Sequence, residues 1–194
     1  PRRNRGRVEE EDVDEDTLSS LQTTLRPITA EDTEGAPNLN LVQYIHCVLG
    51  CTEDYSNELV AQGAIRALKA VLKAHPDVIK LQLACVQSLY GFACDSKGKM
   101  PAEIVADSGI EALVACHRRW SEAFALREGF NSMAVMIAAT ATLAQLGKWP
   151  RYLPALEGWR CSESVVNTLQ LRPDLTAHTE AALAYLVAVF EQER

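Results

Sequence analysis

The sequence predicts an all-α fold: an α-solenoid of stacked three-helix repeats behind an acidic N-terminal extension. Three observations predict it. Of 194 residues, 47% are hydrophobic but only 6% aromatic, and the abundant Ala and Leu lose little freedom in a helix. No segment shows the sustained alternation of a half-buried strand. The chain also repeats itself: IVADSGIEALVA (104–115) echoes LVAQGAIRALKA (59–70) at a shift of 45. A second echo, LKAHPDV (72–78) with LQLRPDL (169–175), has a shift of 97, about two such periods.

In chain order, residues 1–36 read as a disordered-looking tail. They hold ten acidic residues against five arginines, a net of −5 out of −7 for the whole chain. The block EEEDVDED (9–16) repels itself and offers little apolar area to offset ordering. A short amphipathic piece around Leu18, Leu21 and Leu25 is its one docking candidate. The repeat domain is expected over 37–194, with a net charge of −2 that gives no reason to expect nucleic acid. Residues 39–49 look like an orphan third helix. In the clearest repeat, 59–62, Gly63, 64–74, His75-Pro76-Asp77 and 78–94 form helix, glycine, helix, turn and long helix. The next copy uses 101–107, Gly109, 110–117 and 130–146; a degenerate third uses 151–157, 162–171 and 175–192. Ile65, Leu68, Val71 and Leu72 make an apolar stripe on the second helix. Asp77 is placed to cap the helix from Val78, which reads as apolar almost all round. The last helix (AALAYLVAVF, 181–190) is strongly apolar, so a partner, self-association or further residues are expected to cover it.

This unit resembles the armadillo repeat, over about residues 39–192, and the glycine between first and second helices favours it over a HEAT-type repeat. The resemblance implies a non-enzymatic scaffold, adaptor or structural subunit of a multiprotein complex, holding a helix or extended segment of other proteins in a concave groove. The alternative is a groove-based peptide-binding transport or targeting receptor. Import receptors of this family bind basic peptides through a Trp and Asn ladder on successive third helices. The Trp positions here hold Gln87, Ala141 and Ala184, and the Asn positions Gly91, Gln145 and Ala188. The ladder is absent. Small residues (Gly91, Ala141, Ala184) are left to line the face, suited either to a closely approaching partner or to tight packing between repeats.

Catalytic motifs are missing: no nucleophile elbow, HExxH, phosphate-binding loop or dinucleotide fingerprint. We therefore expect no enzyme and no cofactor. His46, Cys47, Cys51 and the pair Cys116-His117 lack the matched C-x2-4-C spacing of structural zinc, so core packing is the expected role of the cysteines. With Cys85, Cys94 and Cys161 they number six. Their place in apolar helices and the lack of Asn-x-Ser/Thr lean toward a reducing intracellular compartment. The cytoplasm fits best, and an organelle reached after transit-peptide removal is the other reading. The chain begins at Pro1, so a fragment or processed form is expected. No transmembrane span is expected, since the uncharged stretch 129–147 is interrupted by Asn131, Ser132, Thr140, Thr142 and Gln145.

Partner contacts are expected at Gln87, Gly91, Ala141 and Gln145 along the groove. Arg118, Arg119 and Trp120, read as closing a second helix, are further candidates. Trp149, Trp159 and Arg160 bracket the degenerate repeat, with Trp and Arg the residue types enriched in hot spots. Lys97 and Lys99 flank Gly98 in a loop longer than a repeat needs.

Overall fold

Helix ends in this chain are set by glycines and turns, and helix faces by which apolar residues meet the next layer. A computed structural model describes Asn57 and residues 59–61, 63–106, 108–125, 129–171 and 176–191. Among them every regular element is helical: α1 (Ala64–Ala74), α2 (Ile79–Ala93), α3 (Lys99–Val105), α4 (Gly109–Ala125), α5 (Gly129–Gly147), a 3-10 turn (Pro150–Tyr152), α6 (Leu153–Gly158), α7 (Cys161–Leu171) and α8 (Thr176–Phe190). The expected orphan helix over 39–49 and the tail over 1–36 lie outside the described residues.

Gly63 enters α1 in the left-handed region, at φ 86°, a conformation that costs a side-chain-bearing residue strain. From there Ala64, Ile65, Leu68 and Leu72 recur at helical spacing and are buried. The α1 C-terminus is closed from the next helix. Gln82 Nε2 donates to the Leu72 and His75 carbonyls, both at 2.9 Å, and so satisfies acceptors that a helix end leaves open. Asp77 does not cap α2. That position falls to Val78, which makes no side-chain cap bond, and the Asp77 carboxylate accepts instead from Arg119 Nη2 at 2.6 Å.

The helices pack in two rows. α1 packs on α4 and α4 on α7, while α2 packs on α5 and α5 on α8; α1–α2, α4–α5 and α7–α8 then join one row to the other. One apolar cluster runs through them, from Leu59 and Leu68 through Leu89, Phe92, Leu113 and Val135 to Leu143, Val165 and Tyr185. α5 is the centre of it. It buries Val135, Met136, Ala139, Leu143 and Leu146, and Thr142 Oγ1 donates to its own α5 Ala138 carbonyl at 2.8 Å, with the α2 Val86 carbonyl at 3.4 Å. Hydroxyls that return to the i−4 carbonyl need no other partner, so Thr140 and Thr142 can sit inside. None of the helices is long and apolar enough to cross a membrane, among the described residues.

Two further expectations need correction. α2 is not apolar all round: Gln87, Tyr90 and Gly91 are exposed and Leu83 and Ala84 half-buried. The segment His117-Arg118-Arg119-Trp120 does not close a helix, because α4 runs on to Ala125. Cations near a C-terminus favour termination, but His117 and Trp120 are buried, and packing of that face carries the helix on.

Candidate functional site: an apolar groove over three long helices

The row α2–α5–α8 leaves a groove of about 590 Å³ on its open side, lined by Gln87 and Tyr90 of α2, Met133, Ala134, Ile137, Ala138 and Ala141 of α5, and Ala177 of α8. Small residues make it. Ala134, Ala138 and Ala141 keep the α5 surface low while Met133, Ile137 and Tyr90 supply apolar area at its walls. Among the described residues no lining side chain is charged at neutral pH. Gln87 and Ala141 are thus brought together as expected. Gly91 and Ala184 are exposed outside the lining, and Ala188, in the third Asn position, is buried. Met133 and Ile137 were missed, since an i, i+4 apolar pair inside a helix of alanines looks like core. Gln145 stands beside the groove, accepting from Lys148 Nζ at 2.8 Å and bonded to the Tyr90 hydroxyl. The Tyr90 phenol is pushed upward mainly by the neighbouring Cys94 sulfur, then by burial, and stays protonated.

The other expected contacts fall in three places. Trp120 is a core residue, 6% exposed, and is not available to a partner; its indole belongs to the same cluster as Leu113 and Val165. Arg118 and Arg160 converge on a second, polar groove of about 310 Å³ between α4 and α7, shared with Glu122, Glu163 and Asn167. Arg160 pairs there with Glu163, and Arg118 reaches the Trp159 carbonyl at 3.4 Å, so two cations face two carboxylates. Arg119 lies apart on its pair with Asp77. Trp159 is exposed. Lys97, Lys99 and Trp149 gather at a third place. Asp95 accepts from the backbone N–H of Lys97 at 2.9 Å, Lys99 at 3.0 Å and Met100 at 3.1 Å, which folds the loop onto the start of α3. Arg151 donates to the Gly98 carbonyl at 2.7 Å and stacks between Trp149 and Tyr152. The loop is built, not loose.

A serine–histidine contact lies under the polar groove: His117 Nδ1 and Ser164 Oγ are 2.9 Å apart. Burial drives His117 down to about 3, with His178 and Arg118 pushing the same way. A general base is most effective near the working pH, and so weak a base does little to activate a hydroxyl. Among the described residues no three His, Cys, Asp or Glu side chains gather as metal ligands; His46, Cys47 and Cys51 lie outside them. No family model, curated protein or solved structure matches the chain.

Proposed function

We propose that this chain is a non-enzymatic adaptor or structural subunit, a right-handed α-solenoid of armadillo-like repeats that receives a partner protein's helix or extended segment in the α2–α5–α8 groove. The observation that carries it is the groove's lining among the described residues, apolar, uncharged and stepped by alanines, over three helices packed side by side in one row. Such a surface recognises shape and apolar area. The row-on-row packing supports a repeat stack, whose interior is shared between neighbours and whose outer faces are left for docking. The exposed Leu183, Val187 and Phe190 on α8 supply a second surface, for a partner that covers the last helix. The import-receptor alternative is disfavoured: Ala188 is buried, and among the described residues the groove offers neither indole shelves nor carboxylates for a basic peptide.

The test is binding of a panel of labelled amphipathic-helix and Lys/Arg-rich peptides to the purified chain. We expect an amphipathic peptide to bind with little change between about 50 and 300 mM salt. Ala141→Arg should weaken it at least about tenfold, the cost of an unpaired charge on an apolar contact, with the melting curve unchanged. Salt-sensitive binding of the basic peptides would favour the receptor reading instead, and binding indifferent to Ala141→Arg would remove the groove from the proposal.

A further inference from the structure

One buried polar cluster takes no part in the groove. His117 on α4 and His178 on α8 are both 0% exposed, with ring centroids 6.4 Å apart and planes inclined by 25°. The pair bridges two helices that otherwise meet chiefly through α5 and α7. Of the four ring nitrogens, His117 Nδ1 bonds Ser164 Oγ; His117 Nε2 and both nitrogens of His178 are buried without a partner, as is Thr179 Oγ1. Around them Ser121 Oγ donates to the His117 carbonyl at 2.7 Å and Thr168 Oγ1 to Ser121 Oγ at 3.1 Å, so the hydroxyls are engaged with one another.

An imidazolium has two N–H donors and a charge, and needs acceptors and a counter-ion to stay buried. Among the described residues the surroundings offer one acceptor, Ser164 Oγ on His117 Nδ1, none for the other three nitrogens, and no counter-ion. On α4 the charged group that His117 feels is Arg118, of the same sign, while Glu122 is exposed. α7 carries exposed Glu163 and the buried Cys161 thiol, and α8 exposed Glu180 and the buried Tyr185 phenol. α5, packed against both α4 and α8, has no ionisable residue along its length. Neither ring is perturbed by a carboxylate.

We propose that the His117–His178 pair is an acid-sensitive latch on α8: two neutral rings let the helix seat across α4 and α7, and a proton on either ring unseats it. Burial holds both rings below the ordinary imidazole value. A depressed base stabilises the seated state fully above about 6.5, where the unseated ring is also neutral. That stabilisation is lost as pH falls from there toward the His117 value of about 3. Acid therefore acts on the end of the helix stack while leaving the α1–α2 end, with no buried histidine among its described residues, intact.

The test uses the full chain. In urea unfolding at pH 7.5 and 5.0, the equilibrium constant for folding should fall about thirtyfold if one ring is involved and about a thousandfold if both are. His178→Leu should shrink that fall at least about tenfold. An equal fall in the variant would overturn the latch, as would no fall in the wild type. Should the variant not fold, NMR of the wild-type imidazole Hε1 signals between pH 7.5 and 5.5 decides. We expect neither buried ring to titrate while α8 amides remain protected, and a midpoint near about 6.5 with α8 still protected would overturn the proposal.

Discussion

The Lys69 ammonium, buried on α1, donates to the Ala106 carbonyl at 2.7 Å and to the Glu103 carbonyl at 2.9 Å. These carbonyls belong to the C-terminal turn of α3, where the helix leaves acceptors open and favours a cation. A surface-type residue is thus the bolt between α1 and α3. Lys69→Met keeps the stem and removes the donor, stranding two acceptors. We expect a loss of about 2–4 kcal/mol, read as a lower urea midpoint with unchanged slope.

Two glycines separate backbone strain from collision. At Gly63 the φ of 86° is the whole difficulty, for a Cβ there meets nothing; Gly63→Ala should cost about 1 kcal/mol. At Gly109 an added Cβ runs into the Ile104 carbonyl, and backbone cannot step aside as a side chain can. Gly109→Ala should cost more than about 2 kcal/mol. Thermal melts of the two variants give the order directly.

Thiol labelling should follow burial. Cys94 is exposed, whereas Cys85, Cys116 and Cys161 are buried. Burial pushes Cys85 and Cys161 up to about 12 and raises Cys116 as well, so little thiolate forms near neutral pH. Brief iodoacetamide treatment followed by peptide mass mapping should modify Cys94 in the native protein, and the other three only after unfolding.

Arg119 and Asp77 make the short ion pair that joins α4 to the α1–α2 turn, but their side chains are 54% and 71% exposed. Water and salt screen such a pair. A double-mutant cycle to alanine should return a coupling of about 0–1 kcal/mol that falls further with added salt.

Much of this fold was legible because its signals are local. Gly63, the Ile65–Leu68–Leu72 stripe and the His75-Pro76 turn fix α1 where expected, at 64–74, and most other helix ends fall within two residues. The exceptions have physical causes. Trp120 and Ala123 continue the buried face of α4, and no local rule shows that a face is covered by another helix. Lys69 and Gln82 belong to residue types usually found at the surface; their partners lie outside their own helices, 34 and 37 positions away for Lys69. Of the groove, Gln87 and Ala141 were legible, but not Met133 and Ile137, which are half-buried at its wall and not in the core. The histidine pair was unreadable: His117 and His178 stand 61 positions apart, and nothing near either predicts a stack.

Leu183, Val187 and Phe190 fall at i, i+4 and i+7 and are each at least half exposed, so they form a single oily ridge along α8. A molecule that settles on that ridge recognises the native helix and not the unfolded chain. Its free energy of association is then added to the folded side of the equilibrium and grows with the logarithm of its concentration. Where such a molecule is present, the melting temperature becomes a property of the mixture and not of the chain alone, and a titration reads out whether it occupies the ridge.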